Sequence, residues 1–131
     1  KSERQLKSLH RSAVALRKQN KFDQKYLEVL ELGCRNGHMN SCNDAAWQYA
    51  TTSRVSMQNG TYAVELAEIA VNSTSSDNKY YLSTLAAAYA RVGRYSDAIR
   101  MQEKAIAASH NDPAYAERLR LYQQGRPYTA N

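Results

Sequence analysis

The strongest constraint on the fold of this chain is an internal repeat with a period of 35 residues. When the sequence is shifted by that period onto itself, Ala63 falls on Ala98 and Ala70 falls on Ala105. Trp47 falls on Leu82 in the same alignment. Matched alanines let two helix backbones approach closely, while a large residue fills the groove between them. The repeat therefore predicts stacked antiparallel helical hairpins.

Hydrophobic periodicity supports the same class of fold. Apolar residues recur at three- and four-residue steps along most of the 131 residues, and no stretch alternates long enough to predict a strand. Asp112 followed by Pro113 predicts the cap and first residue of a last helix, which ends at Gly125. We expect an all-α protein of about seven helices.

The second repeat unit resembles the tetratricopeptide (TPR) repeat, although Leu82 and Ala86 replace its usual early Trp and its Gly. Trp47 supplies that Trp in the preceding unit, where Arg54 replaces the usual Tyr. The resemblance covers about residues 43–110. The positions that carry its structure are Trp47, Ala63, Ala70, Leu82, Leu85, Tyr89, Gly93, Tyr95, Ala98 and Ala105.

The resemblance implies a right-handed superhelix of stacked hairpins within a single domain, 1–131. Its units are a degenerate hairpin over 5–42, a first TPR-like unit over 43–76, a second over 78–110 and a capping helix over 112–125. In the degenerate hairpin, Asn20, Lys21 and Phe22 stand where the second unit has Gly93, Arg94 and Tyr95.

The first helix of each TPR hairpin lines a concave wall that holds a peptide or a partner's helix. The resemblance therefore implies a non-enzymatic adaptor or scaffold that binds a protein or peptide. Lys and Asn are missing from the positions with which some TPR proteins clamp a C-terminal carboxylate. The wall positions in this sequence are Gln48, Thr52, Tyr80, Ser83, Ala87 and Arg91.

Cys34 and Cys42 lie eight residues apart around Gly37 and flank a predicted helix-to-helix turn. Antiparallel helices can bring two such residues within bridging distance, and a disulfide indicates an oxidising compartment. A metal site that adds His38 lacks a fourth ligand, and two free buried thiols are the third alternative. The spacing also resembles the cysteine-bridged TPR-like repeats of secreted bacterial proteins. That likeness predicts a periplasmic or extracytoplasmic place in a bacterial cell envelope, with the cytoplasm as the alternative.

Positive charge is concentrated at the start of the chain. The first 25 residues hold eight basic and two acidic side chains, a difference equal to the whole net charge of +6. This basic face suggests an alternative function, in which the first helix binds an anionic ligand such as lipid headgroups or nucleic acid. No stacking aromatics or groove-reading helix accompany the cluster, which argues against nucleic acid and leaves a membrane surface as the candidate target. A solvated helix face without a ligand is an equally good interpretation of the same charges. Its residues are Arg4, Lys7, Arg11, Arg17 and Lys18.

Catalytic motifs are missing from the sequence. It contains no Gly-rich phosphate loop, HExxH or GxSxG, and its carboxylates are scattered singly. We therefore predict no enzymatic activity, no cofactor and no metal. Because the first residue is Lys1, we expect the natural start to lie upstream. A regulatory or targeting module of a larger protein is a further alternative.

Overall fold

The computed structural model describes residues 2–18, 24–74 and 77–130, and for residues 12–18 it describes the backbone alone. Within these ranges the chain forms seven α-helices and no strand, so the predicted all-α class is confirmed. A 3₁₀ turn, Val55–Met57, precedes the fourth helix. The helices are α1 (Glu3–Lys18), α2 (Gln24–Arg35), α3 (Met39–Thr51), α4 (Gly60–Asn72), α5 (Lys79–Arg91), α6 (Tyr95–Ala108) and α7 (Pro113–Gln123).

Side-chain caps determine where several helices begin. The carboxamide oxygen of Asn78 accepts the Tyr80 and Tyr81 backbone N–H groups at the start of α5. The Asp112 carboxylate accepts the Ala114 backbone N–H at 2.9 Å, directly before α7. These bonds satisfy donors that have no partner within the helix. The predicted start of the last helix is confirmed.

Each helix packs against the next one along the chain, and α3 also packs against α5. The repeated alanines lie inside this packing. Ala63, Ala70, Ala98 and Ala105 are all completely buried. Small side chains at these positions permit close approach of neighbouring helices, as the repeat predicts.

The remaining positions of the second unit differ in burial. Leu82, Leu85 and Tyr89 are buried, whereas Tyr95 is half-buried at the start of α6. Gly93 has a φ of +82°, a left-handed conformation that favours glycine. It therefore forms the turn between α5 and α6 that the TPR-like pattern predicts.

The start of α3 differs from the predicted boundary between the degenerate hairpin and the first TPR-like unit. The sequence suggests that the third helix starts near Asn43, but α3 begins at Met39. The cause is His38, whose ring nitrogen Nδ1 accepts the Ser41 backbone N–H and caps the helix early. The unit drawn over 5–42 therefore contains α1, α2 and the first turn of α3. Residues 20–22, used to compare this unit with the second, lie outside the described residues.

Candidate functional site

The residues predicted to line a concave surface lie at α3 and α5, with α7 beside them. We call this surface the wall, formed by α3, α5 and α7 around Trp47, Tyr80, Arg91 and Arg118. Tyr80 is 61% exposed, and Arg91 is half-buried. Of the other predicted wall residues, Gln48 is half-buried, whereas Thr52, Ser83 and Ala87 are buried.

The wall is therefore partly covered rather than fully open. The Ser83 hydroxyl donates to Gln102 Oε1 of α6 at 3.1 Å, and Arg118 of α7 donates to Ser83 Oγ at 3.1 Å. The side chain of Gln102 is completely buried and also donates to the Tyr115 carbonyl at 3.0 Å. Helical periodicity identifies the face of α5 that carries Ser83, but it does not indicate that α6 and α7 bond to that face.

A second cover comes from the end of the chain. Residues 126–130, which we call the terminal segment, follow α7 without regular secondary structure. The Ala130 backbone N–H donates to the Thr51 carbonyl at 2.7 Å, at the end of α3. The Tyr128 ring lies against Trp47, with ring centroids 5.6 Å apart. The terminal segment thus reaches from α7 to α3.

Arg91 joins α3, α5 and the terminal segment. Its Nε donates to the Ala50 carbonyl at 2.6 Å, in the last turn of α3. Its Nη2 donates to the Tyr128 carbonyl at 3.1 Å and to the Thr129 hydroxyl at 3.0 Å. Burial lowers the pKa of Arg91 from its ordinary value. The guanidinium is therefore used mainly to satisfy polypeptide oxygens, which is a chemistry suited to an extended main chain.

Arg118 lies among three aromatic rings on the same wall. Its guanidinium carbon is 4.7 Å from the Tyr115 ring centroid, 5.4 Å from that of Trp47 and 5.5 Å from that of Tyr128. Cation–π contacts of this kind each contribute on the order of 0.5–2 kcal/mol. The Tyr128 ring of the terminal segment, the Trp47 ring and the Arg118 guanidinium thus lie against one another as a three-membered cluster.

A pocket of about 190 Å³ adjoins this cluster on the wall. The exposed ring of Tyr80 lines the edge of this pocket, and Asp44 adds an acidic group to its lining. Tyr128 is not among its lining residues, so the pocket extends the wall beyond the terminal segment. The lining includes Asp44, Trp47, Tyr80, Ser83, Tyr115 and Arg118.

Trp47 has a different environment from the one that the repeat predicts. We expect from the sequence a ring buried between hairpins, but the ring is half-buried and lies on the wall. Its partners are Tyr128 and Arg118, both supplied by the C-terminal part of the chain. Trp47 therefore contributes to the candidate site as well as to packing.

Cys34 and Cys42 form a disulfide, with Cα atoms 4.6 Å apart. Cys34 lies in the last turn of α2 and Cys42 in the first turn of α3. Of the three alternatives, the structure contains the bridge. Neither sulfur is then available as a thiolate ligand, and the described residues hold no cluster of His, Cys, Asp or Glu suited to a metal ion.

Loss of this disulfide is expected to lower the free energy of unfolding by about 2–3 kcal/mol, from the chain entropy of the short loop it closes. Urea denaturation with and without reductant measures the effect. The Cys34→Ala/Cys42→Ala variant is the control and should not respond to reductant. Equal midpoints for the oxidised and reduced wild-type protein would contradict the prediction.

A histidine pair joins α1 to the α2–α3 turn, with His10 on α1 and His38 in the turn. The rings of His10 and His38 are 4.9 Å apart, and His10 Nδ1 is 3.9 Å from the Asp44 carboxylate. Burial lowers the pKa of His38, the charge of His10 lowers it further, and Asp44 acts in the opposite direction. Because Nδ1 of His38 accepts the Ser41 N–H, the cap requires an unprotonated Nδ1.

The lowered pKa of His38 predicts a loss of stability in mild acid. The unfolded chain binds the proton first, at the ordinary pKa of about 6.5, so stability falls as the pH decreases below that value. His38→Asn retains a capping oxygen and does not titrate, so its melting temperature should fall less between pH 7 and pH 5. Identical pH profiles for the two proteins would rule out this role of His38.

On the predicted basic face, Arg4, Lys7 and Arg11 are exposed on α1. Lys7 pairs with Glu3 at 3.2 Å, and these four residues surround a shallow concavity of about 440 Å³. The side chains of Arg17 and Lys18 lie outside the described residues. No helix in the described part of the chain is long and apolar enough to cross a bilayer.

Sequence reasoning misses the residues that cover the wall. Arg118, Gln102 and the terminal segment contact the wall from positions distant in the chain. One signal was available, because Tyr128 follows the helix end at Gly125 and supplies a large ring that can pack on a neighbouring helix.

Comparison with protein-family models, curated proteins and solved structures finds no match to this chain.

Proposed function

We propose that this chain is a non-enzymatic, TPR-like adaptor or scaffold that binds a protein or peptide on the wall. Support for TPR-like stacking comes from the complete burial of Ala63 and Ala98 at matching positions of α4 and α6. The pairs α3–α4 and α5–α6 pack together, as two consecutive hairpins would. Such hairpins stack into a right-handed superhelix with a concave side.

One observation carries the proposal of polypeptide binding. The wall already holds a piece of polypeptide without regular secondary structure, the terminal segment, through hydrogen bonds to its main chain. Contacts to backbone amides and carbonyls do not depend on side-chain identity, and flanking aromatic rings add selectivity. The adjoining pocket with Tyr80 at its edge offers further contact to a longer polypeptide.

Selection of peptides from a random display library tests this proposal. We expect selected peptides to bind the wild-type protein and to lose at least tenfold in affinity with Tyr80→Ala. Ile69→Ala on α4 is the matched control, because Ile69 is also a large apolar residue and is 48% exposed. A library without binders, or equal losses for both variants, would refute the proposal.

We place the protein in the bacterial cell envelope, periplasmic or otherwise extracytoplasmic. The Cys34–Cys42 disulfide supports an oxidising compartment. Thiol counting on protein isolated from its native compartment without reductant tests this location. Two free thiols per chain would favour the cytoplasmic alternative.

The exposure of Arg4, Lys7 and Arg11 on one helix favours a second candidate function, the binding of an anionic lipid surface by α1. Arg4→Glu/Arg11→Glu should reduce sedimentation with phosphatidylserine vesicles, and added salt should weaken wild-type binding. Lys104→Glu/Arg120→Glu is the matched control, with the same change in net charge at two exposed positions elsewhere. Equal binding by both variants would exclude α1 as the contact.

A further inference from the structure

The contacts of the terminal segment are those of a bound peptide. The segment is held to the wall by the Ala130 amide, the Tyr128 carbonyl and the Thr129 hydroxyl. Its one aromatic side chain, Tyr128, lies against Trp47 and near Arg118. Two of the three hydrogen bonds use main-chain groups of the segment, so any extended peptide can form them.

The terminal segment can also dissociate from the wall without unfolding of the helices. It has no regular secondary structure, Thr129 is exposed, and Tyr128 and Ala130 are half-buried. Gly125, at φ +69°, ends α7, and the Arg126 backbone N–H still donates to the Leu121 carbonyl, so the part that can leave begins after Arg126. A short stretch held by few bonds opens at a small fraction of the global unfolding free energy. The helices of the wall can then remain folded while the segment leaves.

We infer that the terminal segment is a built-in competitor for the peptide site on the wall, and that the external ligand is an extended peptide of similar chemistry. This inference rests on the proposed function. The ligand carries an aromatic residue for the position beside Trp47 and Arg118 that Tyr128 occupies now, followed by a hydroxyl-bearing residue and a small residue. Its backbone forms the bonds to Arg91 and Thr51 that the segment forms now.

Competition with a tethered segment sets a requirement for the external ligand. A short tether gives the segment an effective concentration on the order of millimolar, so an identical free peptide binds weakly. A longer ligand gains additional contacts in the adjoining pocket, which Tyr128 does not line. The site is thereby selective for peptides that bind both the Tyr128 position and the pocket at Tyr80.

The test uses the full chain and one synthetic probe, the acetylated peptide with the sequence of residues 125–131. Isothermal titration calorimetry rather than Trp47 fluorescence measures binding to wild type and to Tyr128→Ala, because in wild type the probe replaces Tyr128 beside Trp47 with an identical ring. We expect the probe to bind Tyr128→Ala at least tenfold more tightly than wild type, which corresponds to a segment seated in about nine of ten wild-type molecules. A probe with Ala in place of its Tyr should bind neither protein.

Tyr62→Ala is the matched control, because Tyr62 is also half-buried and its ring lies against another ring, that of Tyr49, with centroids 5.2 Å apart. It should bind the probe as weakly as wild type does. A folded Tyr128→Ala protein without a gain in affinity would overturn the inference. If that variant does not fold, hydrogen exchange of wild type decides: the probe should accelerate exchange at the Ala130 amide, and unchanged protection would overturn the inference.

The outcomes separate this inference from the proposed function. Library peptides that depend on Tyr80, together with a probe that gains nothing from Tyr128→Ala, would refute the competitor role and leave peptide binding intact. Failure of both the library selection and the probe titration would refute the proposed function and the competitor role together.

Discussion

Replacement of Tyr122 by alanine is expected to lower the free energy of unfolding by about 3–5 kcal/mol, because a large ring is removed from a packed interior. Tyr122 lies near the end of α7 and is only 1% exposed. This loss is comparable to the total stability of many small domains. Urea denaturation followed by circular dichroism measures it.

Tyr122→Phe separates the ring from the hydroxyl. Among the described residues the buried Tyr122 hydroxyl has no hydrogen-bond partner, and burial raises its pKa above the ordinary value. Removal of an unsatisfied buried polar group should be neutral or stabilising. A loss of more than about 1 kcal/mol in Tyr122→Phe would show that the hydroxyl does have a partner in solution.

Replacement of Gln102 by alanine is the second substitution with a large expected effect. Gln102 is completely buried and joins three helices through Ser83 of α5 and the Tyr115 carbonyl of α7. Its removal leaves a cavity and unpairs the carbonyl, and each effect contributes on the order of 1–3 kcal/mol. We expect a total loss of about 3–5 kcal/mol.

Two further variants separate the contribution of the buried volume of Gln102 from that of its hydrogen bonds and provide a surface control. Gln102→Leu keeps most of the volume and removes the hydrogen bonds, so it should lose less than Gln102→Ala. Glu103→Ala changes the exposed neighbour on α6 and should alter stability by less than about 0.5 kcal/mol. Thermal or urea melts of the three proteins provide the comparison, and equal stabilities for Gln102→Ala and Glu103→Ala would contradict the role of Gln102.

The sequence predicts those parts of the fold that depend on local periodicity and small residues. Ala63 and Ala98 mark close helix approach because a larger side chain would separate the backbones. Asp112 and Pro113 mark a helix start because they satisfy or lack a backbone donor. These effects act within a few residues, so one sequence is sufficient to identify them.

The composition of the candidate site depends on contacts between distant residues. Helical spacing places Ser83 and Arg91 on one face of α5, but it contains no information on what packs there. Arg118 and Tyr128 reach that face only after α7 has docked. The half-buried position of Trp47 has the same cause, because its partners lie more than 70 residues further along the chain.

The most direct test of polypeptide binding on the wall is nuclear magnetic resonance of the ¹⁵N-labelled full chain with a library-selected peptide. We predict chemical-shift changes at the Trp47 indole and the Ala130 amide, where the terminal segment lies, and at Tyr80 beside the adjoining pocket. Changes clustered at Arg4, Lys7 and Arg11 of α1 instead, with the wall unchanged, would contradict the account.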